Sequence, residues 1–228
     1  MSRICSPDKS TWEYFNYKDI IPRAQNEGAK ALDIGCGSYS GTFLKNIGYT
    51  VTGYDIIRGD STAIIGDGCL LPFKDDCFEL ATSMSVFEHL QDPWQGCSEI
   101  YRVLKPGGIL ACSLSFLEPY HAHSYYHFSH LGAHNLLEKS GFTVLKIAPL
   151  GFSCSEACLR HLIPIPGLAR LFGLIVRGIL RLRRVGIKTI SLYYRRRDKS
   201  KYQRALEYLY EDTYRFEAGF KLLGQKKT

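Results

Sequence analysis

The sequence predicts a doubly wound α/β fold, in which helices cover both faces of a mainly parallel sheet. Between residues 30 and 148, short apolar runs of strand length alternate with helix-forming runs. This alternation places successive strands side by side and the helices between them on the two faces. Glycine and aspartate follow the first three apolar runs, at the sheet edge where folds of this class bind ligands. After Pro149 the chain becomes apolar and basic, which predicts an insertion.

The predicted elements follow one another in a regular order. Strands are predicted at 30–34, 50–54, 62–65, 78–84, 109–115 and 142–148, and helices at 12–27, 41–47, 93–103, 130–140 and 201–210. Gly141 is a favoured residue just beyond a helix C-terminus, so it ends the helix before the sixth strand. The run Lys105-Pro106-Gly107-Gly108 predicts a tight turn ahead of the fifth strand. Strand character returns at 214–225.

Charge divides the chain into two parts. Residues 1–150 carry 12 Lys and Arg against 16 Asp and Glu, whereas residues 151–228 carry 17 against 6. We therefore expect a main domain formed by 1–149 and 214–228, and a basic, apolar helical insertion at 150–213. The eight cysteines form no C-x-x-C pair, and the first 30 residues hold no continuous apolar segment typical of a secretory signal. These features predict reduced thiols and a cytoplasmic protein.

Small and acidic residues mark a ligand site at the strand ends. Asp33, Gly35 and Gly37 follow the first strand, where glycine lets the backbone turn sharply and approach a ligand. Asp55 ends the second strand, about twenty residues further on, a spacing that suits a carboxylate binding ribose hydroxyls. Asp67 ends the third strand. The third glycine of the loop stands at 41, so the loop lacks the G-x-G-x-x-G pattern of dinucleotide enzymes.

Four segments together resemble the successive motifs of class I S-adenosylmethionine-dependent methyltransferases, in the broad group with V-x-E-H after the fourth strand. They are ALDIGCGSYSGTFL at 31–44, VTGYDI at 51–56, GDGCLLPFKDDCFELATSMSVFEHLQDP at 66–93 and EIYRVLKPGGIL at 99–110. The resemblance covers residues 28–148 and resumes weakly at 214–225. It implies a seven-stranded, Rossmann-like mixed sheet of order 3-2-1-4-5-7-6, with the seventh strand antiparallel.

The resemblance also implies S-adenosylmethionine as the cofactor and assigns roles to single residues. Asp33, Gly35, Cys36 and Gly37 would line the methionine moiety, and Asp55 would hold the ribose hydroxyls. Asp67 would accept a hydrogen bond from the adenine amino group, with Gly68 and Cys69 beside it. Ser83 and Met84 would lie near the methionine end. We expect a structural role for Glu88 and His89, because such a pair at a strand-to-helix junction commonly bonds local backbone.

A histidine-rich segment at 119–130 follows the fifth strand and is a candidate wall of the acceptor pocket. We predict His127 as the general base or acceptor-orienting residue, with Tyr126, His123 and His121 as further candidates. Related sequences carry a similar H-x-F-S/T segment. The alternative is structural, with Ser129 as a helix N-cap and His127 as a packing residue. No metal site is predicted, because no Cys or carboxylate cluster accompanies the histidines.

The end of the fourth strand restricts the class of acceptor. The sequence SMSVFEHL lacks the N/D-P-P-Y/F/W element of amino-methylating nucleobase enzymes and lacks a Pro-Cys nucleophile. We therefore expect methyl transfer to a small, lipid-linked or glycan-type acceptor. The alternatives are an RNA ribose or tRNA methyltransferase and a non-catalytic scaffold that binds S-adenosylmethionine.

The insertion contains a cationic amphipathic helix. At 100° per residue, Arg170, Arg177, Arg181 and Arg184 fall within about 60° of one another. On the opposite side lie five apolar residues, Leu168, Phe172, Ile175, Ile179 and Leu182. This pattern favours peripheral contact of residues 168–197 with an anionic membrane surface. Packing on the protein's own core, a homodimer and binding to nucleic acid are the alternatives, and the last is the least favoured.

Overall fold

The structure is a computed structural model that describes residue 17 and residues 21–37, 41–118, 123–150, 166–215 and 219–228. The chain forms two compact units. The described residues of the first unit lie within 1–116, 120–148 and 220–228, and those of the second within 117–119 and 149–219.

The first unit is built on a seven-stranded mixed sheet of order β3-β2-β1-β4-β5-β7-β6, as the resemblance implied. The strands are β1 Lys30–Ile34, β2 Thr50–Asp55, β3 Ile64–Ile65, β4 Phe78–Met84, β5 Leu104–Ser115, β6 Thr143–Pro149 and β7 Gly219–Gln225. Strand β1 pairs in parallel with both β2 and β4, and β4 pairs in parallel with β5. The chain order reverses on the two sides of β1, so the carboxyl ends of β1 and β4 flank the crevice where doubly wound sheets bind ligands.

Three helices of the first unit have described bounds, and two of them begin at a capping side chain. They are α1 Gly41–Asn46, α2 Pro93–Val103 and α3 His130–Lys139. The Asp92 carboxylate accepts a hydrogen bond from the Gln95 amide at 2.9 Å, and Pro93 occupies the first turn of α2, where its missing amide costs nothing. Ser129 caps α3 by accepting from the Gly132 amide at 3.2 Å.

The structure corrects three local predictions. Residues 21–28 are not helical, because Pro22 lacks an amide hydrogen and disfavours helical geometry in the residue before it; of the predicted 12–27 helix, residues 12–16 and 18–20 lie outside the described residues. Residues 105–108 form a bulge within β5, opposite the single residue Glu79, since Phe78 pairs with Leu104 and Leu80 with Ile109. Strand β7 begins at 219, and residues 214 and 215 are helical.

The core of the first unit is apolar on both faces of the sheet. Leu32, Leu80 and Leu110, on three adjacent strands, are all completely buried. Burial of one such side chain contributes about 1.5–3 kcal/mol of transfer free energy. The parallel strands therefore form a rigid platform, and their carboxyl ends position the site described below.

The described residues of the second unit form two helices, α4 Pro166–Tyr194 and α5 Lys199–Arg215. Helix α4 includes every residue from which the amphipathic helix was predicted, from Leu168 to Arg184, and continues to Tyr194. The Arg183 guanidinium donates to the Tyr208 hydroxyl at 2.7 Å, which links α4 to α5. No helix within the described ranges is long and apolar enough to cross a membrane.

Candidate cofactor and acceptor site

A cavity of about 720 Å³ opens at the carboxyl ends of β1, β2 and β4 in the first unit. Gly35, Asp55 and Met84 bring the ends of these three strands into its wall. The rest of its lining comes from the loops after β2 and β3, from the turn before α2 and from the segment after β5. The cavity is thus built mostly of loop residues held by a buried sheet, an arrangement that gives a binding site a rigid support.

The turn after β1 requires glycine at one position for two independent reasons. Gly35 adopts φ +69°, a left-handed conformation that side chains with a Cβ rarely occupy. A Cβ built on Gly35 would also lie 2.2 Å from the Val86 Cγ2 atom. The Gly35 amide donates to the Tyr54 carbonyl at 2.8 Å, which fixes the turn against the end of β2. The backbone at Gly35 therefore approaches the cavity without a side chain in the way.

The Asp55 carboxylate is held in one orientation at the end of β2. One oxygen accepts from the Gly37 amide at 3.0 Å, and the other accepts from the Ile57 amide at 3.2 Å. Asp55 lines the cavity, and Ile56 and Ile57 beside it expose 74% and 68% of their surface. A fixed carboxylate next to apolar side chains suits a ribose hydroxyl pair joined to a flat base.

Asp67 forms the adjacent wall, after β3. Its carboxylate accepts from the Cys69 amide at 2.9 Å, and its carbonyl accepts from the Tyr54 hydroxyl at 2.9 Å. Burial raises the pKa of the Tyr54 hydroxyl, which therefore stays a hydrogen-bond donor at neutral pH. Gly68 and Cys69 complete this part of the lining. Asp67 is thus fixed by a buried tyrosine that the sequence analysis did not assign.

Four of the predicted cofactor residues lie elsewhere than in this lining. Asp33 is buried, accepts from the Thr82 hydroxyl at 2.6 Å and borders a separate cavity of about 270 Å³. Cys36 is buried, and its sulfur lies 3.6 Å from the Thr62 hydroxyl oxygen. Gly37 contributes through its hydrogen bond to Asp55, while Ser83 is buried within β4. Their assignment to the cofactor stays a prediction, and the contacts described here are structural.

On the side of the cavity expected to hold the methyl acceptor, the described lining residues include His123 but neither Tyr126 nor His127. His123 and Tyr125 border the cavity, and His123 adopts φ +58°. The Tyr126 hydroxyl donates to the Gln91 carbonyl at 3.2 Å, and its ring packs edge-on against Trp94 at 5.8 Å. The exposed His127 ring has its Nε2 atom 3.4 Å from the Ser124 hydroxyl oxygen. His121 lies outside the described residues.

Buried Glu88 anchors the segment that carries His123 and Tyr125. Its carboxylate accepts from the Ser115 hydroxyl at 2.6 Å. Its backbone carbonyl accepts from the amides of Tyr125 and Tyr126, at 2.7 and 3.2 Å. The Phe128 amide donates to the Ser115 carbonyl at 2.7 Å. Two hydrogen-bonded residues, on β5 and on the turn after β4, thus fix the path of this segment.

His89, the next residue after Glu88, lies on the same side of the cavity as His123. His89 borders the cavity, as do Ser85, Leu90 and Gln91, none of which the sequence analysis placed in the site. The Gln91 amide nitrogen donates to the Tyr125 hydroxyl at 3.2 Å. Ser85 has φ +55°, an uncommon conformation for a non-glycine residue, and its amide donates to the Ser113 carbonyl at 3.1 Å. An unusual backbone at a strand end is a recognised feature of functional sites, but the sequence gives no signal for it.

Among the residues that the structure describes, no group of three or more His, Cys, Asp or Glu side chains could hold a metal ion. The cavity lining contains the fixed carboxylates of Asp55 and Asp67, apolar side chains and two histidines, His89 and His123. This lining fits a nucleoside that carries no phosphate but bears a positively charged sulfonium and an amino-acid group, and S-adenosylmethionine has this composition.

Comparison with known proteins identifies the type of domain. Residues 32–112 match the family model described as "Methyltransferase domain". Squalene methyltransferase 1 of Botryococcus braunii is 35% identical over 104 residues, which are 37% of this chain and 27% of that protein. The chain spans less than half the length of the curated relatives it matches.

Solved structures share the fold at low sequence identity. The [4+2]-cyclase SpnF has a TM-score of 0.53 at 18% identity and covers 92% of this chain and 80% of its own. The Haemonchus contortus phosphoethanolamine N-methyltransferase 2, in complex with S-adenosyl-L-methionine, has a TM-score of 0.53 at 16% identity, over 90% of this chain and 50% of its own. The fold is therefore shared with proteins of different chemistry.

Proposed function

We propose that the chain is a class I S-adenosylmethionine-dependent methyltransferase that transfers the cofactor's methyl group to a small, lipid-linked or glycan-type acceptor; the methyltransferase match at 32–112 and the partial relatives support this. One observation carries the proposal. The cavity at the strand ends combines the fixed Asp55 carboxylate with the His123–Tyr125 side, in a single space of about 720 Å³. Such a space has room for a nucleoside at one end and an acceptor group at the other.

The chain's own residues supply position rather than covalent chemistry. The bound cofactor supplies an electrophilic methyl carbon on a sulfonium, a good leaving group. The cofactor would thus supply a methyl group to a lone pair of the acceptor atom, and the electron pair of the broken carbon–sulfur bond would remain on sulfur as a neutral thioether. Asp55 and Asp67 would hold the nucleoside, and the Gly35 backbone, which has no side chain, would leave room for the chain that carries the sulfur. Alignment of the two reacting atoms can then supply most of the rate.

A hydroxyl or ammonium acceptor must also lose a proton. We propose that His123 takes this proton on a ring nitrogen, in place of His127, because His123 borders the cavity. Tyr125, whose hydroxyl accepts from Gln91, would orient the acceptor. A histidine suits this role because its usual pKa lies close to neutral pH.

The acceptor class rests on the sequence at the end of β4 and on the relatives. The sequence SMSVFEHL lacks the elements typical of nucleobase methylation. A partial relative, squalene methyltransferase 1, has a lipid in its name. The proposal includes a cytoplasmic location at the periphery of a membrane. The described cysteines, which form no disulfide, support the cytoplasmic location, and the amphipathic helix α4 of the second unit supports contact with a membrane.

The test is a transfer assay with S-adenosylmethionine labelled in its methyl group. Purified protein is incubated with lipid, water-soluble small-molecule, glycan and RNA fractions of a cell extract. We expect label in the lipid, small-molecule or glycan fraction. Label in RNA alone would establish the ribose or tRNA alternative. Binding of S-adenosylhomocysteine with no transfer to any fraction would favour the non-catalytic scaffold.

A further inference from the structure

The second unit exposes a continuous apolar band along α4. Leu171, Leu174, Ile179, Leu182 and Val185 are each more than half exposed, and Leu182 reaches 73%. At 100° per residue they lie within an arc of about 140° of the helix surface. Exposed apolar surface of this extent on a monomer indicates an interaction site.

The other side of α4 is more covered. Val176, Leu180 and Ile187, which fall on the side opposite the band, are half-buried. The Arg183–Tyr208 hydrogen bond joins α4 to α5, and the Lys201 ammonium lies 5.3 Å from the centre of the Tyr194 ring. Helix α5 therefore packs on one face of α4, and the apolar band on the other face stays exposed.

Positive charge borders the band and follows it. Helix α4 has six basic residues and no acidic one. Arg181 and Lys188 are exposed and fall about 20–40° from the edge of the band, by the same helical geometry. Arg195, Arg196 and Arg197 are exposed directly after the helix. The side chains of Arg170 and Arg177 lie outside the described residues.

This combination selects among partners. A second copy of the chain would bring the same basic border to the interface, so like charges would oppose each other. The phosphates of a nucleic acid would neutralise the basic side chains but leave the apolar band in water. A bilayer with anionic headgroups satisfies both parts at once, because apolar side chains enter the acyl boundary while arginine and lysine remain at the phosphate level.

We propose that α4 is an interfacial helix that docks the protein on an anionic lipid surface, with the band of Leu171, Leu174, Ile179, Leu182 and Val185 facing the bilayer. This specifies the membrane part of the proposed function, but its test uses no catalysis. Failure of lipid binding and failure of methyl transfer are therefore distinguishable. Helix α4 lies parallel to the surface, and the cofactor cavity belongs to the other unit and needs no lipid to form.

The first test is co-sedimentation of the full chain with vesicles. Phosphatidylcholine vesicles containing phosphatidylserine should bind the protein, and pure phosphatidylcholine vesicles should bind it far less. Binding should weaken as salt is added, since screening shortens the reach of each charge. Equal binding to both vesicle types, or no binding to either at any salt concentration, overturns the proposal.

A charge variant tests the basic border. The variant Arg181→Gln, Lys188→Gln, Arg195→Gln, Arg196→Gln should lower the partition coefficient by roughly 5-fold per charge, or on the order of several hundred-fold in all at low salt. The matched control changes four exposed lysines of the first unit, Lys30, Lys45, Lys74 and Lys139, to Gln. It removes the same charge and should keep most of the binding. Equal loss in both variants would mean that net charge alone attracts the protein and would overturn the assignment to α4.

An apolar variant tests the band. Leu174→Ser with Leu182→Ser should release the protein from anionic vesicles, whereas Ile65→Ser with Leu131→Ser, also on exposed side chains, should not. Unchanged affinity for S-adenosylhomocysteine verifies that each variant is folded. A stable dimer that the Leu174 and Leu182 changes dissociate, or binding of RNA without binding of lipid, overturns the proposal in favour of that partner.

Discussion

Substitution of Gly35 by alanine tests the geometry of the turn after β1. The change carries two costs. The left-handed backbone, at φ +69°, costs an alanine about 1–2 kcal/mol. The new Cβ would lie 2.2 Å from the Val86 Cγ2 atom, well inside the usual carbon contact distance of about 3.5–4.0 Å, and relief of such overpacking costs about 1–3 kcal/mol. We therefore expect Gly35→Ala to lower the free energy of unfolding by about 2–5 kcal/mol.

Gly37 provides the matched control. Its φ is +46°, but a Cβ built there has no neighbour within 4 Å among the residues that the structure describes. Gly37→Ala should therefore pay only the backbone cost of about 1–2 kcal/mol. The reduced flexibility of the unfolded chain affects both variants alike and cancels in their difference. Urea unfolding at constant m-value measures both losses.

A double-mutant cycle isolates the clash. Val86→Ala removes the atom that the new Cβ would meet, so Gly35→Ala in that background should cost no more than Gly37→Ala. The coupling free energy between positions 35 and 86 should be about 1–3 kcal/mol. A coupling near zero, or equal losses for Gly35→Ala and Gly37→Ala, would refute the reasoning.

Two further predictions concern chemistry and pH. His123→Ala should lower turnover on the order of 10²–10⁴-fold if the acceptor must lose a proton, while His127→Ala should leave turnover within a few-fold of wild type; steady-state kinetics with the identified acceptor measures both, and the reverse order would restore His127 as the base. Hydrogen bonding to Arg102 lowers the pKa of Glu99 below its ordinary value of 4.5. Glu99 thus contributes stability that is present above about pH 4.5 and is lost as the pH falls towards its lowered pKa in the folded protein. Glu99→Gln should flatten this acid loss in urea titrations at successive pH values. An unchanged dependence of the free energy of unfolding on pH would contradict the role of the hydrogen bonds from Arg102 to Glu99.

The sequence predicts the main strands, and the position of Asp55 and Asp67 at the sheet edge, because both depend on local signals. Strands β1 and β4 and helix α2 have the predicted bounds, since short apolar runs and the Asp92-Pro93 start mark them clearly. Asp55 and Asp67 follow strands, and a parallel sheet brings the ends of its strands to one edge whatever the details of packing.

The acceptor side is less predictable because tertiary hydrogen bonds determine it. The choice between His123 and His127 depends on the path of a segment that is held by the carbonyls of Glu88 and Ser115, far away in sequence. His123 adopts a left-handed backbone conformation, and no pattern in the sequence indicates it. The bulge in β5 could not be predicted from the sequence either, since Pro106 and the glycines after it fit a turn equally well.

The central claim is that Asp55 belongs to a binding site for S-adenosylmethionine, and calorimetric titration with S-adenosylhomocysteine tests it most directly. We expect one site per chain in the wild type and a dissociation constant about 10- to 100-fold larger for Asp55→Asn, because a charged hydrogen-bond acceptor is lost. Asp60→Asn, the same change at an exposed aspartate outside this cavity, should bind like the wild type. Equal affinity of Asp55→Asn and wild type, or binding of NAD with no binding of S-adenosylhomocysteine, would contradict the account.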